Sequence, residues 1–534
     1  MPTVREASFD LFRRHGMTTI FGNPGSTELP MLQDFPEDFE YVLALQEAVA
    51  VGMADGYAQA SGRPALVNLH TAPGLGNAMG AIFNAQANHS PVVLTVGQQV
   101  RAQIGIQANL TNRDATRVTD PYVKFAFEPA RPEDVPLALG HAIHLATLPP
   151  RGPVMVSIPM DDWDFEMGAT EAQLVIDREV VGRASPDPIE VERLAARIAE
   201  AENPVMIAGP DIDAAGAWDE AIRLAEGQVL PVWASPAPGG GRIGFPENHP
   251  AFRGILPPAI GPAADVLAGH DLILVIGSSV FPYYPYMPGR FLPEGAQLAA
   301  ITSDPHEAAR APMGDALVAN VKLALTDLID LLQPADREPP EPLAPPVEPE
   351  ETDPLNPSTV HALLRERMPE DAITVLEAPS ATLSFRSQLR ISRPGSYFFG
   401  AGGGLGFGLA AAVGIQMAEP DRPVVCVVGE GSVQYAVTAF WTAASYGVPV
   451  TFLVLRNEEY AILKWFQEIE QITGSPGLDL PALDTAAVAA AYGVTSTVAS
   501  NLDELGEALD DAFADRADGP RLIEVPIGKG IALF

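Results

Sequence analysis

Glu430 and Asn457 stand 27 positions apart, each where an apolar run, PVVCVV or PVTFLVL, gives way to a loop. Neighbouring parallel strands joined by one helix bring two such loops together at the carboxyl edge of a sheet. A carboxylate and an amide oxygen placed there are hard ligands of the kind Mg2+ takes, alongside waters and phosphate oxygens. The stretch GEGS, residues 429 to 432, lets the backbone N–H groups of Gly429, Gly431 and Ser432 face phosphates where a helix begins. The structural alternative is a plain strand-to-helix turn with Ser432 as N-cap. GxGS alone favours that alternative, and Asn457 at βαβ distance shifts the balance toward a cation and phosphate site.

Three more residues sit where strands end. Glu47 follows FEYVLAL and opens the Ala-rich stretch EAVAVGMADGYAQAS. The helix dipole alone would favour an acid there, by under about 1 kcal/mol. His70 closes PALVNLH before the Gly-rich turn TAPGLGNAMG. An imidazole suits proton transfer near neutral pH, although a lone histidine at a strand end is often structural. Ser26, in GNPGS, could simply cap a helix over STELPMLQDF.

The elements that must hold these residues alternate along the chain. TTIFGN, FEYVLAL, PALVNLH, PVVLTV and PVMVSIP read as strands of a first domain; NPVMIAGPD, DLILVIGSS and QLAAITSD of a second; DAITVLE, PVVCVVG, PVTFLVLRN and PRLIEVPIG of a third. Short apolar strands alternating with longer helical stretches predict an α/β fold with three doubly wound parallel-sheet domains. The expected boundaries are 1–180, 181–335 and 356–534, with a linker rich in proline and acid over 336–355 that can hold neither a helix nor a central strand. The middle domain's first turn, AGPDIDAAG, lacks a clean GxGxxG and reads as a spacer.

Bulk properties narrow the partners. The 534 residues carry a formal charge of −36, with only four lysines, which argues against nucleic acid or an anionic membrane as partner. Cys426 is the one cysteine, so no intrachain disulfide forms, and it reads as a small core residue. The N-terminal stretch lacks a signal-peptide core and no run approaches membrane-spanning length, so a cytoplasmic protein is expected.

GEGS followed by RNEEY resembles the thiamine-diphosphate signature, GDG followed at βαβ distance by NN. The segments FGNPGSTELP, ALQEAVAVGMADGYAQASGRPALVNLH, GLGNAMGA, EAARAPMGDA and GGGLGFGLAAAVGIQMAEP extend the likeness over nearly the whole chain. It is similar to the thiamine-diphosphate-dependent 2-oxo acid decarboxylases, and within them to the benzoylformate decarboxylases.

The resemblance implies a pyrimidine-binding domain, a spacer and a diphosphate-binding domain. It implies Mg2+ held by Glu430, Asn457 and Glu459, and the extra methylene of Glu430 leads to an expected tolerance for Ca2+ or Mn2+. Glu47 would hydrogen-bond N1′ of the aminopyrimidine, and His70 would donate and accept protons. Ser26 would bind the substrate carboxylate. Gly403 would accept from the 4′-amino group and Leu405 would wedge the cofactor into its bent form, with Ser380 and Tyr460 as further cofactor contacts. Leu110, Tyr284, Phe399, Ile462, Leu463 and Phe466 would line the substrate pocket with Ser26 and His70. A homotetramer is expected, each cofactor lying between the first domain of one subunit and the third of another.

The chain departs from the family pattern at four places. Glu430 replaces the usual Asp, Arg456 replaces the first Asn, Tyr284 stands where a second active-site histidine is expected, and Ile462 is larger than usual. The implied reaction is nonoxidative decarboxylation of an aryl 2-oxo acid, benzoylformate to benzaldehyde, with carboligation to 2-hydroxy ketones as a further outcome. The alternatives are a different 2-oxo acid, mainly carboligation, a noncatalytic thiamine-diphosphate-binding protein, or a nucleotide-dependent oxidoreductase built on the middle domain.

Overall fold

Three parallel sheets of six strands organise the chain. The computed structural model describes residues 1–236, 241–281, 283–514 and 516–531. The first sheet runs Glu40–Leu43, Thr19–Asn23, Ala65–Leu69, Val92–Gln98, Val154–Pro159, Ala126–Phe127. The second runs Asp315–Val318, Gln297–Thr302, Leu272–Ile276, Pro204–Ala208, Val232–Ala234, Phe252–Ile255. The third runs Tyr397–Phe399, Ile373–Glu377, Val424–Gly429, Val450–Arg456, Arg521–Pro526, Thr495–Val498. Contacts gather Met1–Val181 with Gly402–Gly530 into one compact unit and Gly182–Ala401 into another.

All the interior strands except Val232–Ala234 are continuous apolar runs of the sequence. Ala65–Leu69, Val92–Gln98, Val154–Pro159, Pro204–Ala208, Leu272–Ile276 and Ile373–Glu377 are buried at every position. Strands covered on both faces need no polar alternation. Among the described residues no helix is long and apolar enough to cross a membrane.

The helix Glu47–Ser61 has the bounds of its sequence pattern and ends at Gly62, whose φ of 67° is the left-handed conformation that closes helices. It packs along Phe407–Ala418, backbone close to backbone. A Cβ at Gly56 would overlap the Ala411 backbone, and one at Gly414 would overlap the carbonyl of Met53. The second helix begins only at Phe407, because Gly403 and Gly406 turn the chain before it with φ of 72° and 100°.

One expectation needs correction. STELPMLQDF forms only the short helix Leu29–Leu32, which has Pro30 in its first turn and Glu28 as N-cap, so Ser26 caps nothing. The stretch from Gln333 to Pro354 has no helix or strand, yet it is pinned along its course. Gln228 donates to the carbonyl of Gln333 (2.8 Å), Arg337 donates to the carbonyls of Ile198 and Ala201 (both 2.9 Å), and Gln388 donates to that of Val347 (2.9 Å). Arg365 pairs with Glu348, and Arg390 donates to the carbonyl of Ala344.

Candidate active site

Strands Val424–Gly429 and Val450–Arg456 pair in parallel with Gly429 opposite Leu455, so the chain leaves both strands at one sheet edge. There the Oε1 of Glu430 accepts from the backbone N–H of Asn457 (3.1 Å) and of Glu458 (2.6 Å). Glu430 and Asn457 are both buried. Burial pushes the Glu430 carboxyl above its usual range, against the opposing pull of backbone N–H groups at 430 and 457–459. A cation at the second carboxylate oxygen would relieve that cost.

The Oδ1 of Asn457 accepts from Glu459 N–H (3.1 Å) and keeps a second lone pair. The Glu459 carboxylate is already engaged, by the Lys464 ammonium on one oxygen and Gly530 N–H (2.6 Å) on the other. With both carboxylate oxygens engaged, the backbone carbonyl of Glu459 is the more open ligand for a metal. A carboxylate, an amide and a backbone carbonyl form an all-oxygen set that fits Mg2+.

The turn into the helix Glu430–Val433 is capped by Gly429 without any side-chain bond, so Ser432 is not the N-cap. Tyr460 lies over this turn, and a Cβ at Gly431 would come within 2.7 Å of its ring. Nothing would lie within 4 Å of a Cβ at Gly429, which leaves an open approach for a phosphate.

Glu47, the first residue of its helix, is buried. Its Oε1 accepts from the amide of Asn23 (3.2 Å) and its Oε2 from that of Asn77 (3.0 Å). His70 follows the strand Ala65–Leu69, and its Nδ1 lies 2.9 Å from Glu28 Oε2 and 3.0 Å from Thr27 Oγ1. The Thr27 hydroxyl donates to Glu28 Oε1 (2.6 Å), so both oxygens around Nδ1 are acceptors toward the ring. The proton is thereby fixed on Nδ1, and Nε2 is left to face a reactant. Glu28 is itself 1% exposed and is further held by Gly25 N–H (2.8 Å). Ser26 is exposed at the crest of the same loop.

The sequence reading missed Glu28, Asn23 and Asn77. The signal for Glu28 was its place two residues after Ser26, in a loop already suspected of chemistry. For the asparagines nothing in spacing pointed to Glu47.

Of the remaining expected residues, Gly403 and Leu405 lie in the turn before Phe407–Ala418, with Gly403 exposed. The neighbouring Gly404 accepts from Asn84 through its carbonyl (2.8 Å). Ile462, Leu463 and Phe466 share the helix Ala461–Glu470, with Leu463 44% exposed. Leu110 is half-buried in a loop and takes a φ of 66°. Ser380, Tyr284 and Phe399 belong to the unit Gly182–Ala401. They sit in a 3-10 turn, an exposed loop and the end of the strand Tyr397–Phe399.

The family models for thiamine pyrophosphate enzymes match in three parts: the N-terminal TPP-binding domain over residues 2–118, the central domain over 191–328 and the C-terminal TPP-binding domain over 380–525. A benzoylformate decarboxylase of Pseudomonas aeruginosa is 50% identical over 527 residues, 98% of this chain and 99% of that protein. The chain belongs to the thiamine-diphosphate-dependent decarboxylase family. Among solved structures, the thiamine diphosphate-dependent 4-hydroxybenzoylformate decarboxylase of Rhodococcus jostii RHA1 superposes with a TM-score of 0.96 at 45% identity, covering 99% of each chain. The benzoylformate decarboxylase of Polynucleobacter necessarius gives 0.97 at 42% identity over 100% of both chains. The match to the C-terminal TPP-binding domain spans both GEGS and RNEEY.

Proposed function

We propose that the chain is a thiamine-diphosphate-dependent carboxy-lyase that converts benzoylformate to benzaldehyde and CO2. The observation that supports this most directly is Glu47, a buried carboxylate gripped by an amide on each oxygen and presented at a helix start. When bound, the cofactor supplies a carbon nucleophile and an electron sink, so that the carboxylate can leave as CO2.

The protein's own groups do the rest. Glu430, Asn457 and the Glu459 carbonyl would hold the divalent ion, and Gly429, Gly431 and Ser432 the phosphates. Glu47 would exchange a proton with the pyrimidine ring, with Asn23 and Asn77 keeping its oxygens in place. The Nε2 of His70 would deliver the proton that replaces CO2 on the product carbon. Ser26 would bind the carboxylate, and Leu110, Phe399, Ile462, Leu463 and Phe466 would bound an aryl group. Tyr284 can donate a hydrogen bond in place of the missing histidine.

The cofactor would bridge the first domain of one subunit and the third of another, in a cytoplasmic homotetramer organised by the three domains set out above. Light scattering of the purified protein tests the assembly, and a monomer that turns over would refute it.

The test of function is benzaldehyde formation from benzoylformate, with and without thiamine diphosphate and Mg2+. Product that depends on both supports the proposal. The likeness to the Rhodococcus enzyme makes 4-hydroxybenzoylformate the second substrate to try. Folded, cofactor-loaded protein that releases CO2 from neither acid would refute the aryl decarboxylase reading.

A further inference from the structure

Two of the chain's departures from the family signature, Glu430 and Arg456, meet at one residue. Arg456 ends its strand and donates through Nε to Glu524 Oε1 (2.7 Å) and through Nη1 to Glu458 Oε1 (2.9 Å). Glu524 is 3% exposed, and its other oxygen accepts the N–H groups of Thr485 (3.0 Å) and Ala486 (3.1 Å) at the start of the helix Thr485–Ala491. Arg456 is thus fixed to the sheet and grips the side chain of Glu458. The backbone N–H of Glu458 in turn makes the 2.6 Å bond to Glu430 Oε1. Glu458 bridges the two at a φ of 62°, a left-handed conformation that a non-glycine residue holds only when its surroundings enforce it. Lys529 is the other cation facing it, 4.0 Å from its Oε2.

We infer that Arg456 is a positioning residue that sets the metal loop at the height required by the longer acid at 430. The inference rests on the proposed cofactor site. A Glu430→Asp change withdraws the carboxylate by about one carbon–carbon bond, roughly 1.5 Å, while Arg456 prevents the loop from following. An Arg456→Asn change frees the loop but leaves Glu430 reaching toward a moving target. The two substitutions therefore compensate one another.

The experiment is calorimetric titration of Mg2+ into the full-length protein with thiamine diphosphate present. The variants are Glu430→Asp, Arg456→Asn, the double variant and Glu458→Gln, each checked for folding by circular dichroism. Each substitution at 430 or 456 alone is expected to weaken Mg2+ about tenfold or more, as loss of a group supporting a metal ligand does. The double variant should return to within a few-fold of the parent. Glu458→Gln, which takes the charge out of the bridge and spares both ends, should weaken Mg2+ in the same direction as Arg456→Asn.

Effects that simply multiply in the double variant overturn the inference, as does an unchanged affinity in Arg456→Asn. If Arg456→Asn does not fold, Glu458→Gln decides, and unchanged affinity there overturns it. A parent protein that binds thiamine diphosphate without any need for a divalent ion would overturn the cofactor-loop reading itself. Multiplicative effects in a metal-dependent parent would leave that reading standing.

Discussion

Glu28 touches His70 at Nδ1, so its contribution is to orientation and to charge. Replacing it by Gln keeps the shape and removes the charge that stabilises a protonated ring. The expected outcome is a kcat lowered by one to two orders of magnitude. KM should change little. Glu47→Gln keeps both asparagine neighbours but removes the exchangeable proton, so turnover should fall by about 10²–10⁴ while cofactor and Mg2+ still bind by calorimetry. At this scale the sequence was partly informative. Residues at strand ends, such as Glu430, Asn457, Glu47 and His70, were legible because chain position alone places them at the sheet edge. Asn23 and Asn77 were not, because their meeting with Glu47 depends on how two loops fold over a helix start.

Close helix contact supports the site from below. The helix led by Glu47 and the helix that follows the Gly403–Leu405 turn pack with almost no side chain between them at Gly56 and Gly414. Gly414→Ala forces a methyl group into the Met53 carbonyl. It should destabilise the protein by about 1–3 kcal/mol, the usual cost of overpacking, seen as a lower denaturant midpoint with an unchanged slope. Legibility followed burial at this scale as well. Every strand found by its apolar run lies inside a sheet, apart from Glu40–Leu43 at an edge. The unforeseen strands were Ala126–Phe127, Val232–Ala234, Phe252–Ile255, Asp315–Val318, Tyr397–Phe399 and Thr495–Val498. All of these except Val232–Ala234 are edge strands. An edge strand is short and half wet, so it writes no continuous apolar pattern into the sequence.

For the molecule as a whole, several buried histidines make stability depend on acid. Burial lowers His361 from the ordinary 6.5 to about 3 and His15 to about 4, and it lowers His144 as well. The folded protein thus binds fewer protons here than the unfolded chain, and stability is complete above pH 6.5 and lost as pH falls toward 3. Melting temperature should drop on acidification from pH 6.5 to 4, and His361→Gln, which can still bond Ser384, should flatten part of that slope. The strap from Gln333 to Pro354 was read correctly as lacking helix and strand, but its composition concealed how firmly arginine and glutamine side chains hold it. Backbone carbonyls accept those bonds, and carbonyls are the same in every residue.

The single cysteine gives the molecule a built-in clock. Cys426 is fully buried at the centre of the strand that ends in Gly429. A thiol reagent can reach it only when that sheet opens, so the labelling rate times the opening directly beneath Glu430. Ligands that bind only the closed form should slow the clock in proportion to their saturation, allowing occupancy to be read without any turnover.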